Sequence, residues 1–309
     1  MIRKRSEAGN TMATFNKIGI VGAGSMGQGI SRVIAATGTE VILMDKDLNL
    51  AVRGVEQISD NLDREIEKWG ITESEKRAIL ARISPAGDFK SIKNVRMVIE
   101  AIPEDLEAKR LLFAHLDNIC QPSTIIVSNT STLSITELAA GTNRPDRVIG
   151  LHFLNPVHKV PLVEIIRGLN TSDDTVEAIK DFAGQLNKTP VMVHEYPGYL
   201  TTRIIVPFIN EAIHVLMEGI ASPEDIDTSM KLAFGMEMGP LRLADMMGLD
   251  EVMRWLENLL HELSEHKYNP CPLLRKMVRA GHLGVKTGQG FYTYDEEGNI
   301  TGSAFGSPS

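Results

Sequence analysis

The stretch Lys17-Ile-Gly-Ile-Val-Gly-Ala-Gly-Ser-Met-Gly27 restricts the fold more than any other part of the chain. Ile18, Ile20 and Val21 form a short apolar run of strand character, and Gly22, Gly24 and Gly27 follow at once in the spacing G-x-G-x-x-G. Ser25 to Thr37 then reads as a helix ended by Gly38, and a second apolar run, Glu40 to Met44, closes on Asp45. Each part has a task in gripping a dinucleotide. Gly22 permits the tight turn out of the strand, Gly24 lets the backbone approach a pyrophosphate, and Gly27 lets helix and strand pack closely. Ser25 and Met26 begin the helix, whose amides and dipole face the phosphates. Asp45 lies 18 positions after Gly27, where a carboxylate accepts both hydroxyls of the adenosine ribose. A plain glycine-rich turn would leave that acid unexplained.

Alternation of strand and helix continues. Asp47 to Lys68 has helical spacing through Leu50, Val55, Ile58, Leu62 and Ile66. Thr72 with Glu75 is a capping box for a helix to about Ala81. These two helices form an excursion before Met97–Ile102 (strand), Glu104–Ile119 (helix) and Thr124–Ser128 (strand). Arg147–Leu151 and Val163–Arg167 read as strands, Asp173–Leu186 as a helix and Pro190–Val193 as a last strand. The pattern predicts an α/β fold of Rossmann type, with a doubly wound, mostly parallel sheet. After Pro197-Gly198 the strand signals cease until the aromatic run near Phe291. Helices are predicted over Tyr199–Met217, from Ser222-Pro223, over Arg242–Leu263 and over Pro272–Ala280. This predicts three parts: a flexible extension (1–15), a dinucleotide-binding domain (16–196) and a smaller all-α domain (197–309).

Composition narrows the partners. The chain has 309 residues and a net charge of −8, which argues against a broad nucleic-acid surface. An anionic ligand would need a local basic patch. No apolar run approaches the length of a membrane span. Cys120 and Cys271 are the only cysteines, so no disulfide framework is indicated and a reducing, cytoplasmic setting fits. No metal-ligand set is indicated. Met1–Asn16 carries Arg3, Lys4 and Arg5 without an apolar segment, unlike a secretory signal. It reads as a loose extension, a very short organelle leader, or the consequence of a start upstream of Met12. The tail, Gly302–Ser309, is expected to be mobile.

Three places carry chemistry. Ser128-Asn-Thr-Ser131 follows a strand, and open parallel sheets bind ligands beyond strand carboxyl ends. Asn129 and Ser131 are thus placed to touch substrate or nicotinamide, though turn and cap chemistry also favours these residue types. His152 follows the strand ending at Leu151 and suits proton transfer near neutral pH, unless it is a satisfied structural histidine. Glu164, in Leu162-Val-Glu-Ile-Ile, is out of place unless paired or on an edge. An acid that holds the imidazole and stabilises its cation would explain it.

Together these features resemble the L-3-hydroxyacyl-CoA dehydrogenase family, in its short-chain, 3-hydroxybutyryl-CoA form. The resemblance runs from about Phe15 to Tyr294. It rests on Gly22-Ala-Gly-Ser-Met-Gly, Ser128-Asn-Thr-Ser, Leu151-His-Phe-Leu-Asn-Pro, Met238-Gly-Pro-Leu and Lys286-Thr-Gly-Gln-Gly-Phe-Tyr. It implies NAD as cofactor, His152 as catalytic base, Glu164 as its partner and Ser131 as a substrate ligand. It also implies that Glu104, Lys109, Ser131, Asn155 and Lys286 contact the dinucleotide. The helical excursion matches the part that clasps coenzyme A, where Arg64 and Lys68 would meet its phosphates. One position departs: where the family usually carries Asn in its catalytic set, this chain has Thr202, a hydroxyl without the amide fork. Two other readings share the fold, a dehydrogenase of CoA-free hydroxy acids of the gulonate type and a non-catalytic dinucleotide-binding protein like lens lambda-crystallin. A homodimer is expected through the apolar Tyr199 helix and Met236, Met238, Met246 and Met247.

Overall fold

The computed structural model describes residues 15–68 and 70–305, which divide into two compact units, one through Glu195 and one from Tyr196. The expectation of a flexible extension falls on residues 1–14, outside the described residues. Phe15, grouped with that extension, instead belongs to the core, where its ring meets Phe182 edge-on at 5.6 Å.

The first unit runs β1 (Lys17–Val21), α1 (Ser25–Ala36), β2 (Glu40–Met44), α2 (Leu48–Glu67), α3 (Glu73–Leu80), β3 (Ile83–Ala86), β4 (Met97–Glu100) and α4 (Leu106–Ile119). It continues with β5 (Ile125–Ser128), α5 (Ile135–Ala140), β6 (Val148–Phe153), β7 (Leu162–Arg167), α6 (Asp173–Gln185) and β8 (Thr189–His194). The eight strands lie in the order β3-β2-β1-β4-β5-β6-β7-β8. Every pairing is parallel except β6 with β7. The chain winds outward from β1 in one direction and from β4 in the other, so the switch point lies between those strands. The central strands are mostly apolar because helices cover both faces, and their polar residues Glu100, Ser128 and His152 fall at or near the carboxyl ends of β4, β5 and β6. Ile18, Ile20, Leu43, Ile99, Val127 and Ile149 are fully buried, each contributing about 1.5–3 kcal/mol.

Local chemistry sets the helix starts. Asp47 caps α2 through Asn49 N, the Thr72–Glu75 capping box opens α3, and Asp105 caps α4 through Ala108 N. Two elements were not expected. Strand β3 is broken in its apolar pattern by Ser84 and Pro85, and the proline is tolerated because β3 is the sheet edge. Helix α5 is a short turn capped by Ser134 onto Glu137 N.

The second unit contains α7 (Thr201–Met217), α8 (Pro223–Phe234), α9 (Pro240–Met247), α10 (Leu249–Leu263) and α11 (Pro272–Arg279). The predicted helix over Arg242–Leu263 is two helices, α9 and α10, because Gly248 adopts φ 96°, which a helix cannot continue. The unit is helical with one addition, a short hairpin of β9 (Tyr292–Tyr294) and β10 (Ile300–Ser303). The start of the expected mobile tail is therefore ordered: Gly302 and Ser303 pair with Thr293 and Tyr292, and Phe305 lies 6.1 Å from Phe291. Residues 306–309 lie outside the described residues. Buried carboxylates bind the hairpin: Asp245 accepts from Phe291 N, Tyr292 N and the Tyr294 hydroxyl, while Asp227 accepts from the Tyr292 hydroxyl. Among the described residues no helix is long and apolar enough to cross a membrane.

Candidate active site

The glycine-rich turn sits at the switch point, and its glycines differ in what surrounds them. A Cβ on Gly27 would stand 1.8 Å from the Gly22 carbonyl oxygen, and one on Gly22 would stand 2.5 Å from the Ala101 oxygen. Gly22 also has φ 111°, which favours glycine. Beside Gly24 nothing lies within 4 Å, so open space faces the backbone there. Ser25 is exposed and Met26 half-buried at the start of α1. Asp45 directly follows β2 beside this turn, its Oδ2 accepting from Ala23 N at 2.8 Å. A cradle closed by two glycines, open at the third and bordered by a carboxylate fits a dinucleotide.

A second cluster forms at the carboxyl ends of β5 and β6. Strand β6 extends to Phe153, so His152 lies within the strand, one residue past the expected end. In the antiparallel register of β6 and β7, His152 stands directly opposite Glu164. Directly opposed side chains share a face of the sheet. His152 Nδ1 is 2.8 Å from Glu164 Oε2, and the two residues are 4% and 0% exposed. With Glu164 ionised and the imidazole neutral, Nδ1–H is the donor to the carboxylate and Nε2 presents a lone pair. That nitrogen lies 3.1 Å from Ser131 Oγ. Asn129 Oδ1 accepts from Phe153 N at 2.9 Å, which ties the β5 turn to the end of β6.

The turn carrying Ser131 is held from below by Glu104. Its Oε1 accepts from Thr130 Oγ1 at 2.5 Å, Ser131 N at 2.9 Å, Thr132 N at 3.0 Å and Thr132 Oγ1 at 3.1 Å. Burial alone would raise the Glu104 carboxyl, but Lys109 and these donors outweigh it and hold it below its usual range. Lys109 Nζ reaches Glu100 Oε1 at 2.6 Å, the Ile102 carbonyl at 3.2 Å and Glu104 Oε2 at 3.4 Å. Burial would lower Lys109, and its two carboxylates reverse that and raise it. Glu100, fully buried at the end of β4, also accepts from Ser128 Oγ at 2.6 Å and Ile102 N at 2.8 Å. Burial raises its carboxyl above the usual range, which Lys109 only partly offsets.

The structure thus brings Ser131, His152, Glu164 and Glu104 together. Lys109, which the resemblance implies as a dinucleotide contact, has a side chain 1% exposed, with its ammonium set among two carboxylates and a carbonyl. Sequence reasoning missed Glu100, although an ionisable residue ending the apolar run Met97-Val-Ile is the same anomaly that singled out Glu164. Asn155 is exposed in the loop after β6. Arg64 and Lys68 are exposed at the carboxyl end of α2. In the second unit Thr202 is buried in the first turn of α7, and Lys286 pairs with both carboxylate oxygens of Asp250 at 2.6 and 2.7 Å. Among the described residues no group of acids, histidines and cysteines is arranged to hold a metal.

Comparison with known proteins agrees over nearly the whole chain. Residues 17–196 match the 3-hydroxyacyl-CoA dehydrogenase NAD binding domain, and residues 198–294 match the 3-hydroxyacyl-CoA dehydrogenase C-terminal domain. The chain is 47% identical over 283 residues to the probable 3-hydroxybutyryl-CoA dehydrogenase of Bacillus subtilis, covering 92% of this chain and 99% of that protein. It is 44% identical to the 3-hydroxybutyryl-CoA dehydrogenase of Bradyrhizobium diazoefficiens, with 91% and 96% covered. The crystal structure of (S)-3-hydroxybutyryl-CoA dehydrogenase from Ralstonia eutropha superposes with a TM-score of 0.83 at 46% identity, over 92% of this chain and all of that one (100%). With a dinucleotide cradle at the switch point, a buried imidazole–carboxylate pair beside it and both domains matched, this chain belongs to the 3-hydroxyacyl-CoA dehydrogenase family.

Proposed function

We propose that the protein is an NAD-dependent oxidoreductase that interconverts 3-hydroxybutyryl-CoA and acetoacetyl-CoA, in short-chain fatty-acid or butyrate metabolism. The observation that carries this reading is the Ser131–His152–Glu164 chain of contacts, with His152 Nε2 3.1 Å from Ser131 Oγ and Nδ1 2.8 Å from Glu164 Oε2. In the oxidation direction Nε2 takes the proton of the 3-hydroxyl as the C3–H bond breaks. Glu164 stabilises the imidazolium through the Nδ1–H bond, in a setting too buried for water to do so. Ser131 donates to the oxygen that becomes the ketone. NAD, held at the Gly22–Gly27 turn and Asp45, would supply the acceptor for the hydride released from C3. Reduction of acetoacetyl-CoA runs through the same groups in reverse.

Gly22, Gly24, Ser25, Met26 and Gly27 would hold the pyrophosphate and Asp45 the adenosine ribose, with Asn155 and Lys286 as further contacts. Arg64 and Lys68 would meet the phosphates of coenzyme A. Thr202 would stand in for the amide that the family usually places there. The second unit would serve substrate binding and dimerisation, for which Ile204 (63%), Leu232 (82%) and Phe234 (73%) offer exposed apolar side chains. A cytoplasmic setting accords with Cys120 and Cys271, both buried and free.

The test is a steady-state assay of acetoacetyl-CoA with NADH and with NADPH. Turnover with NADH is expected, with at least about a tenfold lower kcat/KM for NADPH, because Asp45 repels a 2′-phosphate. Turnover of free 3-hydroxy acids instead of acyl-CoA would favour the gulonate-type reading. No turnover of either class would favour a non-catalytic role.

A further inference from the structure

We infer that Glu100 is a positioning residue that sets where Ser131 stands relative to His152, acting through Lys109 and Glu104. The inference rests on the activity proposed above for its kinetic readout. A carboxylate with no exposure at the end of a central strand is costly unless its charge is used. Glu100 uses all of it: Oε1 takes Lys109 Nζ and Ile102 N, and Oε2 takes Ser128 Oγ. Through these bonds it reaches both segments that border the site. Ile102 belongs to the turn between β4 and α4, and Ser128 ends β5, three residues before Ser131.

The ammonium of Lys109 is shared unequally, 2.6 Å from Glu100 and 3.4 Å from Glu104. That inequality leaves Glu104 Oε1 to the four donors of residues 130–132. If Glu100 lost its charge, Glu104 would be the only counter-charge that the described residues place within reach of a buried ammonium, and the attraction between them would no longer be balanced. The Glu104 carboxylate would be drawn toward Lys109 and off the turn. Ser131, whose amide is one of the four donors, would then move with respect to the Nε2 lone pair 3.1 Å away. Displacements of that kind at a reacting centre cost rate rather than fold.

The experiment is Glu100→Gln, which keeps shape and removes charge. With acetoacetyl-CoA and NADH, kcat is expected to fall about tenfold to thirtyfold. In a Ser131→Ala background the same change is expected to cost less than about twofold, because the group being positioned is gone. Amide exchange at Ser131 and Thr132 is expected to speed up at least about fivefold in Glu100→Gln. A loss of equal size in both backgrounds, or unchanged exchange at those amides, would overturn the inference, since a purely structural role gives additive losses. Should Glu100→Gln fail to fold, Glu100→Asp reads the same connection by keeping the charge while drawing it back from Lys109: a loss of about twofold to fivefold that vanishes in the Ser131→Ala background supports it, and no loss or an additive one refutes it. Wild-type turnover separates the two claims. If the wild type does not turn over acetoacetyl-CoA, the proposed activity fails, while amide exchange still decides the positioning claim.

Discussion

Replacing Glu164 by Gln tests the chemistry at its most buried point. The carboxylate is 2.8 Å from His152 Nδ1 and has no exposure. A base that accepts the substrate proton must start as the neutral imidazole, donating through Nδ1–H to the Glu164 carboxylate. When Nε2 takes the substrate proton, the carboxylate faces a full positive charge. With charge centres roughly 4 Å apart and an effective dielectric constant of about 20, that attraction is about 4 kcal/mol. Gln keeps the size and offers a neutral acceptor, which returns about 1 kcal/mol of hydrogen bonding. The net loss is about 2–4 kcal/mol in the state where the imidazolium forms, or roughly 30-fold to 10³-fold in kcat. Folding should suffer little, because Gln fills the same volume and keeps an acceptor for the Nδ1–H bond. The assay is steady-state kcat in both directions, beside NADH affinity by fluorescence and Tm. A variant with normal NADH binding and kcat within threefold of wild type would refute the reasoning, because Glu164 would then be a structural acid only.

Three further outcomes are expected. His152→Gln should lower kcat about 10²-fold to 10⁴-fold with Tm and NADH affinity little changed; near-normal turnover would mean that another group is the base. Thr202→Asn should raise kcat/KM on acetoacetyl-CoA by less than about tenfold, the worth of one neutral hydrogen bond. A hundredfold gain would mean that Thr202 disables the site, and a hundredfold loss that Thr has a role of its own. Asp117→Asn should cost about 3 kcal/mol at pH 7, because Arg144 is left buried beside a neutral group after losing its 2.7 Å contact with Asp117. Burial opposes ionisation of Asp117, but the donors from Asn143 and Arg144 outweigh it and hold its carboxyl below the ordinary value of 3.8. A lowered carboxyl contributes stability above its unfolded-state value and loses it as pH falls through the folded one. The urea midpoints of variant and wild type should therefore differ at pH 7 and converge as the pH drops below 3.8; a constant gap would contradict this.

Most of the first unit was legible because local rules act there without help. The dinucleotide turn needs glycine where a side chain would meet backbone, and the sequence writes those positions as G-x-G-x-x-G. Helix starts are written as Asp47, Thr72 with Glu75, and Ser222 with Pro223, since caps are bonds between near neighbours. Strand β3 was not legible because its apolar pattern is interrupted at Ser84 and Pro85, and only its edge position makes that acceptable. The break at Gly248 was equally hidden, because glycine inside a helical pattern signals either tolerance or a stop, and packing chooses.

The sequence by itself determined the cofactor cradle, the alternation that builds the sheet, and two suspicious ionisable residues, His152 and Glu164. It could not determine that they face each other. A spacing of 12 residues means nothing until β7 turns back antiparallel beside β6 and the register sets 152 against 164. Nor could it determine that Lys109, an ordinary lysine in a helix, lies buried between Glu100 and Glu104, or that Glu104 gathers four donors from a turn 26 to 28 residues away. The reason is physical: propensities, caps and glycine turns are decided within a few residues, whereas a buried charge takes its meaning from groups that only the sheet order brings within hydrogen-bonding distance.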